Sequence, residues 1–165
     1  VRLTFKVTSR GLMGFRSSFL SLTSGEGLMS FAGAGFGPRI SGDLGSRQNG
    51  VLISNTDGKA VGYALFNLQA RGRLFVDPGD LIYEGMVVGL HSRSNDLTVN
   101  PAKEKKLTNV RASGSDEAID LNAPVKMSLE QSLEFIDEDE FVEVTPSAVR
   151  IRKKLLKEYE RKRVN

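Results

Sequence analysis

Alternation opens the chain: Val1, Leu3, Phe5 and Val7 fall on one side of a period-two pattern, which predicts a strand over VRLTFKV. From about Arg10 to Thr23 the period changes. Leu12, Phe15, Phe19 and Leu22 recur at spacings of three and four, the stripe of an amphipathic helix, until Gly25-Glu26-Gly27 stops it. Leu28–Phe31 reads as another short strand, so the first 36 residues predict strand–helix–strand. Residues 37–50 (GPRISGDLGSRQNG) hold four Gly and one Pro with little apolar content, a linker signature, and a domain boundary is placed there.

Beyond the linker, Val51–Ser54 predicts a strand closed by the turn Asn55-Thr56-Asp57-Gly58. Val61, Ala64, Leu65 and Leu68 share a helical face over residues 60–70, and Gly72 supplies a stop. Strands are expected at Arg73–Val76 and Met86–Leu90, around Asp77-Pro78-Gly79-Asp80. His91–Ser115 lacks sustained periodicity and is rich in Ser, Asn, Thr, Lys and Arg. It reads as one long mobile loop, with Leu97, Val99, Leu107 and Val110 as its few apolar residues. Ser128-Leu129-Glu130-Gln131 is a capping box that starts a short helix, with Leu129, Leu133 and Ile136 as the expected buried stripe. Val142 and Val144, then Val149 and Ile151, alternate about Pro146-Ser147 and predict a hairpin. The chain ends in a basic stretch read as a frayed helix.

Charge changes this picture more than composition does. The net charge is only +3, but it is segregated. Residues 1–50 carry six bases against two acids, 91–115 five against two, 116–149 one against ten, and 150–165 eight against two. Basic surface without catalytic spacing suggests a polyanionic partner. With no cysteine, disulfide scaffolds and thiolate zinc sites are excluded. No window is long and apolar enough to predict a membrane span. The chain starts at Val1, inside a strand-like pattern and not at Met, so further sequence is expected upstream.

Catalytic signatures are sparse in this sequence. A phosphate-cradling loop needs G-x-x-x-x-G-K-[ST], and the one Gly-Lys pair, Gly58-Lys59, is followed by Ala60. Gly33-Ala34-Gly35-Phe36-Gly37 does not fit a dinucleotide fingerprint. His91 is the sole histidine, no Ser sits in a nucleophile elbow, and a metal site would have to combine His91 with carboxylates alone. Glu134, Asp137, Glu138, Asp139 and Glu140 crowd one helix end and read as an acidic face, mostly solvated, with pairing to the basic tail as a further expectation. The loop, by contrast, has RNA-compatible chemistry. Arg93, Lys103, Lys105, Lys106 and Arg111 can neutralise phosphates, and Asn95, Asn109 and Ser113 can bond sugars and base edges. No aromatic occurs between 92 and 115, which favours backbone and shape recognition over stacking. The basic tail suggests phosphate contact or pairing with the acidic block at Glu134–Glu143, and phosphate contact is favoured for Arg150, Arg152 and Lys153. Strand alternation turns the two arginines away from Val149 and Ile151.

SRGLMGFR (9–16) and TSGEG (23–27) resemble the second helix and following turn of the ferredoxin-like fifth domain of translocation factors such as elongation factor G. RQNGVLIS (47–54), ALFNLQARGRLFV (64–76), YEGMVVGLHSRSNDLTVN (83–100), KKLTNVRASGSDEA (105–118) and MSLEQSLEFIDEDEFVEVTP (127–146) resemble the C-terminal region of the BipA/TypA translational GTPases. The resemblance covers nearly the whole chain and is weakest over Phe31–Gly45 and Pro101–Lys103. It implies an α+β chain. Residues 1–36 would be an incomplete ferredoxin-like β-α-β piece, 37–50 a linker, and 51–165 a mixed, mainly antiparallel β domain with short helices and a long basic loop. That first piece would lack its central strand, and a segment of another chain or the upstream residues would complete it.

The resemblance also implies a cytoplasmic, ribosome-binding GTPase of stress, cold and virulence responses that assists large-subunit assembly. GTP and Mg would belong to an upstream domain, with no cofactor, metal or catalytic residue in this part. Partners would be large-subunit rRNA and the acceptor end of A-site tRNA, reached through the loop, with neither DNA nor membrane. The alternatives are a stand-alone RNA-binding ribosome accessory protein without GTPase activity, and an enzyme with an unrecognised site.

Overall fold

In the computed structural model, residues 1–12, 15–38, 47–104 and 120–164 are described, and they divide into two units, Val1–Ser46 and Arg47–Asn165. In the first, a 3-10 turn at Arg10–Leu12 precedes helix α1, Phe15–Leu22. Phe15 and Phe19 stack one turn apart, with ring centroids 6.1 Å from each other. The Thr23 hydroxyl donates to the Phe19 carbonyl and accepts from the Gly27 N–H, closing the helix end. The strands expected at the chain start and at Leu28–Phe31 do not form: residues 1–8 and 26–38 carry no ladder. An alternating pattern becomes a strand only when a neighbour takes its N–H and C=O groups, and among the described residues neither segment has one. Leu3, Phe5, Leu28 and Phe31 accordingly remain exposed.

The second unit is built on a four-stranded sheet in the order β3-β5-β1-β6: Gly72–Leu74, Val87–His91, Val51–Ser54 and Leu97–Val99. β5 runs antiparallel to both β3 and β1, whereas β6 pairs parallel with β1. The unbroken apolar runs Val51-Leu52-Ile53 and Met86-Val87-Val88 follow from burial on both faces. Leu52 and Val88 point to one side, where α2 (Gly62–Gln69) brings Leu65 and Leu68 onto Leu74, Val76, Ile82 and Val99. Val51, Ile53 and Val87 point to the other, against Ile151, Phe75, Phe135 and Ile136. Each such aliphatic side chain contributes about 1.5–3 kcal/mol on burial. A small two-stranded ladder, β2 (Gly58–Lys59) with β4 (Leu81–Ile82), lies outside the main sheet.

Helix α3 (Leu129–Phe135) starts at the predicted capping box: Ser128 Oγ accepts from the Gln131 N–H, and the Gln131 side chain accepts from the Ser128 N–H. Such a cap is worth about 1 kcal/mol. The buried face differs from the expected stripe. Leu129 and Leu133 are exposed, while Ser132 is buried and Phe135 and Ile136 pack on the core. The edge-on contact of Phe135 with Phe75, centroids 5.4 Å apart, sets that rotation in a helix too short to bury two faces. β7 (Glu140–Val144) and β8 (Val149–Lys153) form the predicted hairpin, in the register Val142↔Ile151 and Val144↔Val149. The chain closes with α4, Glu158–Val164.

Candidate nucleic-acid interface

The region expected as one loop from His91 onward begins with a turn and a strand. His91 ends β5 and is buried, with Nδ1 2.6 Å from the Asn95 carbonyl. Residues 92–96 make a tight turn, and Leu97–Val99 returns to the sheet as β6. This corrects the expectation of a single mobile loop: parallel pairing with β1 supplies the ladder that a three-residue apolar stretch cannot announce by periodicity. Gly50 packs so close beneath the turn that a Cβ there would lie 2.2 Å from the Asn95 carbonyl group. The Gly50 N–H also donates to the Arg93 carbonyl. Arg93 and Asn95 therefore project from a turn whose backbone is tied down, and both are exposed. Lys103 is exposed beyond the buried Pro101. Lys105, Lys106, Asn109, Arg111 and Ser113 lie outside the described residues.

Of the three tail candidates, Arg150 and Arg152 are half-buried on β8, and Lys153 is buried. Lys153 Nζ lies 2.6 Å from Asp96, 2.8 Å from Asp139 and 3.0 Å from Glu140. Three carboxylates hold the ammonium, two of them in the acidic block, so Lys153 takes the pairing the sequence offers as the alternative and not the favoured phosphate contact. Alternation carried the signal: the parity that turns Arg150 and Arg152 outward turns Lys153 inward beside Ile151. The residue acts instead by position, since Asp96 also accepts from the Val51 N–H and so pins the turn that carries Arg93 and Asn95.

Glu140 departs from the solvated face expected of its neighbours: its side chain is fully buried. Arg47 grips it through two hydrogen bonds, of 2.8 and 2.9 Å, and Lys153 and the Asp137 N–H complete its shell. Arg47 also donates to the carbonyls of Asn49 and Phe135, and its guanidinium lies 4.6 Å from the Phe135 ring centroid. Burial alone would raise the Glu140 pKa, but the Arg47 hydrogen bond and charge, then Lys153, outweigh it and hold the carboxyl below its usual range. Burial opposes the charged form of Lys153 as well, and bonds to Asp139 and Asp96 with the Glu140 charge raise its pKa on balance. Arg47 sits 93 residues from Glu140, so neither helical nor strand spacing could pair them.

Among the described residues, no group of three His, Cys, Asp or Glu is placed to hold a metal, and no helix is long and apolar enough to cross a membrane. What the C-terminal unit presents is an α+β scaffold with a mixed sheet, an internal ionic cluster and outward cations on a turn and a hairpin. Residues 49–158 match the family model of the TypA/BipA C-terminal domain, and the chain belongs to that family. It is 59% identical over all 165 residues to a protein of Haemophilus influenzae and to one of Salmonella typhimurium, and 58% to one of Escherichia coli K12. All three are named large ribosomal subunit assembly factor BipA. The chain spans 27% of the length of each of these relatives.

Proposed function

We propose that this chain is the ribosome-contacting C-terminal module of a cytoplasmic translational GTPase that assists large-subunit assembly. The observation that carries the reading is the 59% identity across the whole chain to proteins named for that assembly step. Exposed Arg93, Asn95 and Lys103, with Arg150 and Arg152 on the hairpin, supply contacts to phosphate and sugar. Lys105, Lys106, Asn109, Arg111 and Ser113 extend that set toward large-subunit rRNA and the acceptor end of A-site tRNA. GTP and Mg belong to a separate upstream domain in this reading. Residues 1–36 form the C-terminal half of a ferredoxin-like domain completed by upstream sequence or by a segment of another chain, and the expected stress and cold responses follow from the ribosomal role. The test is co-sedimentation of the full-length protein with purified large and small subunits across a salt series. Binding to the large subunit, steeply weakened by salt and lost on deletion of residues 47–164, is expected. A deletion variant that still folds and sediments with the large subunit as the intact protein does would overturn the proposal.

A further inference from the structure

Parity along the β7–β8 hairpin sorts its side chains into two sets. Glu140, Ile151 and Lys153 face inward, into the ionic cluster and core. Phe141, Glu143, Arg150, Arg152 and Lys154 alternate to the opposite face. Phe141 pairs with Arg152 across the ladder and leaves 46% of its surface in solvent. The Arg152 guanidinium carbon lies 5.3 Å from its ring centroid and the Lys154 Nζ 5.1 Å. Acids near this face bond to other groups, although Asp80 also feels the Arg150 charge. Glu143 accepts from the Tyr83 hydroxyl, and Asp80 is held by Lys126 and the Asp77 N–H. Among the described residues no carboxylate forms an ion pair with Arg150, Arg152 or Lys154.

We propose that this outward hairpin face binds an unpaired RNA segment, with a base stacked against Phe141 and the flanking phosphates held by Arg152 and Lys154. The inference rests on the ribosomal reading above and deepens it with a second site, distinct from the turn at Arg93 and Asn95. An acidic peptide would satisfy the cations but make no use of the π face of the ring. An apolar protein surface would cover the ring but would strip water from three cations that hold no ion pair among the described residues. A nucleotide presents a flat base and an adjoining anion together, the pairing by which single-strand binders work. The residues from 92 to 115 contain no aromatic, so this hairpin supplies the stacking that the basic turn and its continuation lack.

The experiment measures binding of the full-length protein to large subunits and to a fluorescent 12-nucleotide oligouridylate, across a salt series. The variants are Phe141→Leu, Arg152→Gln and Lys154→Gln, with melting curves as controls. Phe141→Leu keeps apolar bulk and removes the π face. It should weaken oligonucleotide binding by roughly 5- to 100-fold with the salt slope unchanged. Each Gln variant should lower the log–log slope by about 0.7. Phe141→Leu binding like wild type with an intact melt refutes the stacking site. An intact protein that binds the oligonucleotide but not the large subunit refutes the ribosomal reading and leaves the site standing. Should Phe141→Leu fail to fold, a covalent photo-adduct between Phe141 and uridine in the wild type supports the site, and adducts elsewhere only refute it.

Discussion

Replacing Glu140 by Ala lowers the stability of the C-terminal unit by about 3–5 kcal/mol, because Arg47 and Lys153 are then left facing each other without their shared carboxylate. In a domain of this size the melting temperature should fall by roughly 10–20 °C. The pH dependence identifies the cause. The folded pKa of Glu140 is held below the ordinary 4.5, so its contribution is fully present above about pH 4.5 and is lost as pH falls through the lower folded value. Lys153 has the opposite sign: its folded pKa is raised above 10.5, so its share persists below that pH and is lost only in stronger alkali. Glu140→Gln, which keeps the shape but not the charge, should differ most from wild type near neutral pH. The two should converge as wild type is acidified below 4.5. Lys126→Ala, which removes the solvent-exposed pair with Asp77 and Asp80, is the control and should melt close to wild type. A Glu140→Gln deficit that stays constant from pH 7 down to pH 3 would show that the buried carboxylate is not the titrating element.

Replacing Lys105, Lys106 and Arg111 together with Ala should weaken large-subunit binding of the full-length protein by roughly two orders of magnitude near 0.1 M salt. Three lost phosphate contacts should lower the salt slope by about 2 to 2.7. The melt should stay within about 0.5 kcal/mol of wild type, as is usual for substitutions away from caps and cores. Co-sedimentation across salt checks this. An unchanged slope with an intact melt would remove these three residues from the interface. A collapsed melt would make them structural.

Local features were legible and distant ones were not. The β7–β8 hairpin could be read because Val142, Val144, Val149 and Ile151 alternate about one turn, and the cap of α3 because its four residues satisfy one another. Strand β6 could not, since Leu97-Thr98-Val99 is extended only by virtue of β1, more than forty residues upstream. Pairing of the acidic block with the basic tail is legible from charge alone, but the burial of Glu140 depends on Arg47, which no local spacing brings to it. Of the candidate interface, the types of residue were readable and their partition was not: Arg93, Asn95 and Lys103 are exposed, while Lys153 is withdrawn to brace the turn that carries Arg93 and Asn95. The strands expected in residues 1–36 failed for the same reason, as alternation specifies a face but not the neighbour that completes it.

Contact between this domain and ribosomal RNA is tested most directly by photo-crosslinking on the ribosome. A photoreactive amino acid is placed at Arg93 or Lys103 of the full-length protein, the complex with large subunits is irradiated, and the adducts are mapped. Both positions should crosslink to large-subunit rRNA, or to the acceptor end of a tRNA bound in the A site, with yields that fall as salt rises. Adducts confined to ribosomal proteins, or none from a variant that still co-sediments, would contradict an RNA-facing C-terminal domain.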